Sequence, residues 1–147
     1  MAAPMTEAAG SFRNGIHVLP VRVYYEDTDA GGIVYYANYL RFAERARSEW
    51  LRHLGIESSR MMKEQKVAFA VKWCAMDFVK PAKLDDLLAV ETRVLAIGGA
   101  SLTLEQTVRL DGADLVRMEL KLACMSLDGG AARLPTEIRK RLEEART

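Results

Sequence analysis

Apolar and polar residues follow two different periods along the first third of the chain. Residues 21–26 alternate between apolar and polar positions, which predicts a strand. Residues 27–32 interrupt this pattern with turn-forming residues and a pair of glycines. From residue 39 to residue 54 the apolar side chains recur every three or four positions, and Gly55 follows where a helix commonly ends. The pattern predicts a strand, a turn and one long amphipathic helix.

Strand-like alternation dominates the rest of the chain. Four further strands are predicted, at residues 67–79, 87–97, 101–110 and 116–124. Asp111 and Gly112, between two alternating runs, are a strong hairpin signal, and short turns favour antiparallel neighbours. Residues 135–146 predict a short charged helix. Because the apolar face of the long helix needs a cover, we predict an α+β domain: an antiparallel five-stranded sheet wrapped around one central helix.

Length and charge limit the class of protein. The chain has 147 residues, of which 50% are hydrophobic, and its 21 Lys and Arg residues against 20 Asp and Glu residues give a formal net charge of +1. This length suits one globular domain and is too short for a two-domain Rossmann enzyme. The near-neutral balance argues against a dedicated nucleic-acid binder. A large substrate would have to bind in a surface cleft or between subunits.

The ends of the chain and its location can also be predicted. Residues 1–16 are interpreted as a flexible N-terminal tail, and residues 17–147 as a single domain. The tail lacks the basic start and apolar block of a signal peptide, and no apolar run reaches the roughly 18 residues of a membrane span. We therefore expect a cytoplasmic protein without a membrane span.

Histidine and cysteine chemistry is not expected. His17 and His53 have no partner at the spacing of a catalytic triad or a metal site, so both are interpreted as surface residues. Cys74 and Cys124 match neither a disulfide framework nor zinc-ligand spacing and are interpreted as buried. No metal site and no cofactor is predicted.

The junction between the first strand and the helix is the best candidate for chemistry. Residues 25–36 contain three acidic residues, two glycines and three tyrosines. A carboxylate there could act as nucleophile or general base toward an acyl carbon, while N–H groups at the helix start polarise a carbonyl oxygen. The alternative is an ordinary Asx turn in which Asp27 or Asp29 caps the helix. The residues alone leave both interpretations open.

The segment 25–39, YEDTDAGGIVYYANY, closely resembles the signature of the 4-hydroxybenzoyl-CoA thioesterase family. The continuation at 41–47, RFAERAR, is similar to the branch of Tol–Pal-associated acyl-CoA thioesterases. Shorter matches lie at residues 67–69, 81–86 and 133–135. The resemblance covers roughly residues 21–142, and the fold that it implies is the hotdog, an antiparallel sheet wrapped around one helix.

The resemblance implies catalytic roles for three residues. Asp29 matches the catalytic carboxylate, which attacks the thioester carbonyl or activates water. The backbone N–H of Tyr36 matches the donor that polarises the thioester oxygen, and Tyr25 matches a tyrosine beside the carboxylate. The Tol–Pal branch commonly has histidine at the position of Tyr36, so here only the backbone role is retained.

Substrate contacts are implied for four further residues. Gly32 would let the substrate approach the backbone closely, and Val34 belongs to the same substrate-binding set. Phe69 matches a position that lines the acyl pocket, although a core phenylalanine is an equally good interpretation. Ser101 could donate to the pantetheine arm, with an exposed strand serine as the alternative. Glu44, on the helix among arginines, is interpreted as part of a solvated ion-pair face.

The implied function is that of an acyl-CoA thioesterase, which hydrolyses an acyl-CoA thioester to a free acid and coenzyme A without a cofactor. The implied partners are the acyl-CoA substrate, further copies of the chain in a homodimer or homotetramer, and an acyl carrier protein. The alternative is a hotdog protein that binds acyl-CoA without hydrolysing it. The presence of Asp29 argues against this alternative, because a pure binder does not need the carboxylate.

Overall fold

The structure is a computed structural model that describes residues 9–146. Its strands are β1 (Ser11–Arg13), β2 (Ile16–Arg22), β3 (Val67–Phe78), β4 (Leu87–Ile97), β5 (Ser101–Leu110) and β6 (Ala113–Ser126). Its helices are α1 (Asn38–His53), α2 (Ser58–Arg60) and α3 (Thr136–Ala145), with a 3₁₀ turn at Tyr25–Asp27 and a π-helical turn at Met61–Gln65. Within the described range no helix is long and apolar enough to cross a membrane.

The strands form one antiparallel sheet in the order β1-β2-β4-β5-β6-β3. Asp111 and Gly112, between β5 and β6, have φ values of 51° and 83°, which a type I′ hairpin turn requires. One face of the sheet packs on α1, so the predicted α+β hotdog arrangement is confirmed. The predicted number of five strands is wrong, since residues 9–146 contain six.

The additional strand is β1, and it lies within the range 1–16 that the sequence analysis interprets as a flexible tail. It pairs with β2 through a turn at Asn14 and Gly15, whose φ values of 52° and 78° again indicate type I′. Residues 1–8 of the interpreted tail lie outside the described residues. The strand predicted at 21–26 is displaced as well, because β2 ends at Arg22 and the 3₁₀ turn follows.

His17, in β2, is fully buried with 0% exposure, so its interpretation as a surface residue is wrong. Its Nε2–H donates to the Ala9 carbonyl oxygen at 3.0 Å, and its Nδ1 has no partner among residues 9–146. The rings of Phe12 and His53 lie 5.3 Å and 5.0 Å from the His17 ring, between centroids. Burial lowers the pKa of His17, and the charge of His53 lowers it as well. Burial outweighs the hydrogen bond to Ala9, which acts to raise the pKa, so the environment favours the neutral imidazole.

Helix α1 lies against the sheet along its whole length. Its buried residues are Tyr39, Phe42, Ala43, Ala46, Trp50 and Leu51, which is the face predicted from the periodicity. The first four of these belong to one apolar cluster of the core, and the last two to a second. Gly55, with a φ of 77°, follows the end of α1, where a left-handed residue is favourable only if it lacks a Cβ.

A buried polar network fixes α1 to the sheet. Gln106, fully buried in β5, donates from Nε2 to the Ala43 carbonyl oxygen at 3.0 Å and to Thr92 Oγ1 at 2.9 Å. Its Oε1 accepts from Arg47 Nη1 at 3.0 Å. Because a buried amide without partners would destabilise the fold, these bonds favour one rotational setting of α1. That setting determines where the N-terminus of α1 lies relative to the preceding turn.

Candidate active site

Asp27 holds the segment between β2 and α1 in place. Its Oδ2 accepts from the Tyr24 N–H at 2.8 Å, and its Oδ1 accepts from Asn38 Nδ2 at 3.0 Å. Its carbonyl oxygen accepts from the Tyr35 N–H at 2.9 Å. One residue thus joins the 3₁₀ turn to the first residue of α1. Asp27 thus has a structural role, but the predicted cap is wrong, because no side chain among the described residues caps the start of α1.

Asp29 lies in a small hairpin that begins at Asp27. The Asp29 N–H donates to the Ile33 carbonyl oxygen at 2.9 Å, and the Gly32 N–H donates to the Asp29 carbonyl oxygen at 3.1 Å. Gly32 has a φ of 80°, the left-handed conformation that closes such a loop. Oδ1 of Asp29 accepts from the Gly31 N–H at 2.8 Å in an Asx turn, whereas Oδ2 has no partner in the described part of the chain. The exposed carboxylate is fixed at one oxygen and free at the other.

The loop before β4 supports this hairpin. Ile33 pairs with Lys83, and the Val34 N–H donates to the Ala82 carbonyl oxygen at 2.9 Å. The Ala82 N–H in turn donates to Tyr39 Oη at 3.0 Å, and burial raises the pKa of the Tyr39 hydroxyl. Residues 81–86, a segment on which the family resemblance draws, therefore connect the hairpin to α1.

The N-terminus of α1 presents unused backbone donors beside the hairpin. The N–H groups of Tyr36 and Ala37 donate to no acceptor within residues 9–146. The first turn of α1 contains no acidic side chain, and the carboxylate of Asp27 accepts from the Asn38 side chain rather than from a backbone N–H of the helix. The two N–H groups are therefore available to an oxygen atom of a ligand.

Asp29 and Tyr36 belong to the same short hairpin segment before α1. Asp29 lies opposite Ile33, and at most roughly 10 Å of chain separates Ile33 from Tyr36. A near-attack contact of about 3 Å and an N–H···O bond of about 2.9 Å, added to the length of the aspartate side chain, span such a gap. The arrangement can hold a carbonyl carbon near Oδ2 while its oxygen accepts from the backbone.

An apolar groove of about 310 Å³ opens beside Tyr36. Its walls are Ile33, Val34, Tyr36, Tyr39, Phe78, Val79, Lys80 and Pro81. The Phe78 ring meets the Tyr36 ring edge-on at 6.2 Å and the Tyr39 ring at 6.0 Å, between centroids. Gly32 and Val34 thus lie at the same end of the molecule as Asp29 and Tyr36. Sequence analysis missed Tyr39 and Phe78 as groove residues, because their patterns indicate only a helix face and a strand.

Tyr25 shapes the turn through its backbone. Its carbonyl oxygen accepts from the Thr28 N–H at 3.1 Å and from Thr28 Oγ1 at 2.8 Å. Its side chain is 84% exposed, and its hydroxyl makes no hydrogen bond with the residues described here. One chain does not bring this hydroxyl into contact with Asp29, and its role beside the carboxylate stays a prediction.

Phe69 and Ser101 lie at the opposite end of the sheet from Asp29. Phe69 precedes Phe78 by nine residues in β3, roughly 30 Å at the usual strand rise. Ser101, at the start of β5, lies across β6 from the Phe69 end. It is partly buried, with Oγ packed over Gly98, rather than a fully exposed strand serine. A single chain therefore does not bring the whole predicted set into one site.

Glu44 is exposed on α1 but forms no salt bridge within residues 9–146, so the predicted ion-pair face is wrong in this respect. Arg41 and Arg45 form none either, and Arg47 donates to the buried Gln106 instead.

In the same range of residues, no group of three or more His, Cys, Asp or Glu side chains could hold a metal ion. The chemistry available at this end of the molecule is that of a carboxylate and backbone donors.

Comparison with known proteins identifies the family of the chain. The Thioesterase-like superfamily matches residues 23–142. The chain is 51% identical over 108 residues to acyl-CoA thioesterase YbgC of Haemophilus influenzae, covering 74% of this chain and 79% of that protein. It is 44% identical over 107 residues to acyl-CoA thioester hydrolase YbgC of Escherichia coli O6:H1, covering 72% and 79%. The crystal structure of a probable thioesterase from Bartonella henselae matches with a TM-score of 0.78 at 36% identity, covering 82% and 99%. As the sequence resemblance predicts, the chain belongs to the thioesterase-like superfamily.

Proposed function

We propose that the chain is an acyl-CoA thioesterase, which hydrolyses an acyl-CoA thioester to a free acid and coenzyme A. The observation that carries this proposal is the free Oδ2 of Asp29 in the hairpin that leads to the unpartnered N–H of Tyr36. The relatives from H. influenzae and E. coli, named as an acyl-CoA thioesterase and an acyl-CoA thioester hydrolase, support the same substrate class. Besides the thioester, the reaction consumes only water.

Asp29 can complete the reaction in two ways. As a nucleophile, Oδ2 attacks the thioester carbon, the C–S bond breaks, the CoA thiolate leaves, and water then hydrolyses the acyl-aspartyl anhydride. As a general base, Oδ2 takes a proton from a water molecule whose oxygen attacks the same carbon. In both cases the Tyr36 N–H donates to the carbonyl oxygen, which gains negative charge in the tetrahedral state. The exposure of Asp29 allows water to reach either reaction.

A protein that binds acyl-CoA without hydrolysing it is the alternative function. Such a protein would use the apolar groove beside Tyr36 but would not need an oriented carboxylate. The hairpin orients Asp29 through its N–H, its carbonyl oxygen and Oδ1, and it leaves Oδ2 free. This placement favours hydrolysis, since a carboxylate that only improved solubility would not require it.

Asp29→Asn tests the proposal. The amide oxygen can still accept from the Gly31 N–H, so we expect the fold and the melting temperature to be retained. Because the variant lacks the carboxylate, we expect release of free CoA thiol from a good acyl-CoA substrate to fall by about 10²–10⁴-fold. Asp128→Asn, which changes an exposed carboxylate in the turn after β6, is the control and should keep the parent rate.

Two outcomes would contradict the proposal. Turnover by Asp29→Asn at the parent rate would remove Asp29 from the mechanism. A parent protein that binds short-chain, long-chain and aromatic acyl-CoAs but releases no thiol from any of them would favour the binding alternative.

We further propose that the active unit is a homodimer formed through β3. Within residues 9–146 this strand pairs only with β6, so its other edge is open. Val71, Trp73 and Phe78 on this strand are each 50% exposed. Long apolar edge strands are rarely left open, because their free N–H and C=O groups promote association. Pairing with β3 of a second copy would satisfy that edge.

A β3–β3 contact would also bring the separated residues together. A two-fold contact between identical strands is antiparallel. Centred on the irregularity between Val71 and Trp73, it would place Phe69 of the second copy opposite Ala75, toward the Phe78 end of the first. Each active site would then combine Asp29 of one copy with Phe69 of the other. A homotetramer of two such dimers stays a prediction.

An acyl carrier protein presents the same thioester on the same pantetheine arm as coenzyme A. We therefore propose carrier-bound acyl groups as a second form of substrate, hydrolysed at the same carboxylate. The cytoplasmic location stays a prediction of the sequence analysis.

A further inference from the structure

Two arginines one helical turn apart, Arg41 and Arg45, line a groove of about 440 Å³ beside α1. Arg22, at the end of β2, and the acidic residues Glu26 and Asp27 of the 3₁₀ turn belong to the same groove. We refer to it as the arginine groove. It runs from the turn that leads into the Asp29 hairpin along the first half of α1.

The two helical arginines have no internal partner. Neither guanidinium makes a hydrogen bond or a salt bridge with any residue from 9 to 146. Like charges four positions apart on a helix repel each other. Arg41, the fourth residue of α1, also lies near the partial positive charge of the helix N-terminus, whereas Arg45, the eighth, lies beyond its reach. An external anion would therefore supply both arginines with a partner that the described residues do not provide.

The other charged groups of the arginine groove leave room for such an anion. Asp27 already accepts two hydrogen bonds at its carboxylate, from Tyr24 N–H and Asn38 Nδ2. Arg22 donates through Nη1 to the Asp85 carbonyl oxygen at 2.7 Å, which holds it as part of the wall. Glu26 is exposed and opposes an anion, but the three arginines still outnumber the two carboxylates.

The distance from the candidate active site matches one particular anion. With a rise of about 1.5 Å per residue, Arg41 and Arg45 lie roughly 8 and 14 Å along α1 from the Tyr36 N–H. The pantetheine arm between the thioester and the phosphates of coenzyme A is about four residues long, roughly 14 Å when extended. We propose that Arg41 and Arg45 bind the phosphate groups of acyl-CoA while its thioester lies at Asp29. This inference rests on the proposed function, and it uses the bidentate pairing of guanidinium with phosphate.

The double variant Arg41→Gln, Arg45→Gln tests the proposal on two thioesters of the same acid. One is the acyl-CoA, and the other is the N-acetylcysteamine thioester, which has no phosphate. On acyl-CoA we expect KM to rise about ten- to a hundredfold with kcat little changed, because phosphate contacts are equal in ground and transition states. On the phosphate-free thioester we expect kcat/KM to stay at the parent value.

Arg52→Gln is the matched control. Arg52 is an exposed arginine of the same helix that already pairs with Glu49, and it lies outside the arginine groove. We expect this variant to keep the parent KM for acyl-CoA. A second readout needs no substrate: the double variant should unfold about 1–2 °C higher than the parent without ligand, because the repulsion between two like charges four positions apart on α1 is removed.

Three outcomes would overturn the proposal. The first is an unchanged KM for acyl-CoA in the double variant. The second is an equal loss on both thioesters, since a substrate without phosphate cannot report on a phosphate site. The third is a loss confined to acyl groups on a carrier protein, which would assign the arginines to a protein partner. Failure of the proposed function is separate: it would appear as hydrolysis of the phosphate-free thioester by Asp29→Asn at the parent rate.

Discussion

Asp27 and Asp29 are two positions apart in the sequence, but their carboxylates have different surroundings. Both oxygens of Asp27 accept hydrogen bonds, from Tyr24 and from Asn38, so this side chain connects the turn to α1. Asp29 accepts one, from Gly31, and keeps Oδ2 free. The difference arises because Asp27 lies next to the helix and Asp29 lies farther along the hairpin. At the scale of residues, one aspartate positions the site and the other is available for chemistry.

Tyr36→Pro removes the backbone donor of Tyr36 together with its ring. Proline has no N–H, and it is tolerated at the start of a helix, where that N–H has no helical partner. We expect the variant to fold and its kcat on acyl-CoA to fall by about 10²–10³-fold, as for loss of one oxyanion donor. Release of free CoA thiol measures kcat, and circular dichroism checks the fold.

Tyr36→Ala provides the comparison for the proline variant. It loses the same ring but keeps the N–H, so its kcat should stay about tenfold or more above that of Tyr36→Pro. Parental kcat in a folded Tyr36→Pro protein would exclude this N–H from the mechanism.

At the scale of elements, β1 is held by a buried contact as well as by its pairing with β2. A Cβ on Gly10 would lie 2.5 Å from the Val18 carbonyl oxygen and 2.7 Å from the His17 ring, so only glycine lets the segment before β1 approach so closely. Phe12 covers His17 from the side. The family match begins at residue 23, after this hairpin, which makes the β1 contact a feature outside the matched region.

The β1 contact should weaken in acid. Burial holds the pKa of His17 below its usual 6.5, assisted by His53 and opposed by Glu49. An opened hairpin therefore takes up a proton at a pH where the closed one does not, and the closed form loses stability as pH falls below 6.5. We expect amide hydrogen exchange at residues 11–13, corrected for its intrinsic pH dependence, to accelerate between about pH 7.5 and about pH 5.5.

His17→Phe keeps a ring in the same place but cannot titrate. Amide hydrogen exchange of this variant at residues 11–13 should be independent of pH after the same correction. Exchange in β5 and β6 serves as an internal reference in both proteins. If protection of β1 in the parent does not change with pH, protonation of His17 is not coupled to opening of the hairpin.

At the scale of the whole molecule, the open edge of β3 is where the proposed dimer would form, and the proposed active site would depend on that dimer. The two ends of this strand lie roughly 30 Å apart, with Phe78 beside the Asp29 end and Phe69 at the other. In the proposed dimer, a second copy running in the opposite direction would bring its Phe69 toward the Asp29 end of the first. The proposed dimer therefore predicts that the monomer has an incomplete acyl site.

Trp73→Glu should separate the copies. Trp73 is 50% exposed in the middle of β3, and a carboxylate there would be buried without a partner in a β3–β3 contact. We expect a folded monomer in analytical ultracentrifugation and a loss of kcat/KM for acyl-CoA of about tenfold or more. Arg13→Glu, on the opposite edge of the sheet, is the control and should leave the oligomer intact. A dimeric Trp73→Glu protein with full activity would contradict the β3 interface.

Local signals predicted most of the elements but not the first hairpin. The helix predicted at 39–54 corresponds to Asn38–His53, since its periodicity records which side chains meet the sheet. The hairpin at 14–15 was missed although Asn-Gly is a strong turn signal, because only three residues of strand precede it. His17 was misplaced for a related reason: its burial depends on Phe12 and the chain around Gly10, which no period of the sequence reveals.

The sequence by itself determined the α+β class, the long helix, the later strands and the segment that contains the candidate carboxylate. These follow from periods, turn residues and a contiguous motif, all of which are local. The tertiary structure decided which aspartate keeps a free oxygen, that the Tyr36 N–H lacks a partner, and that Phe69 lies a strand length away from Asp29. Those facts depend on hydrogen bonds and packing between residues distant along the chain, and such contacts exist only once the sheet has closed over its helix.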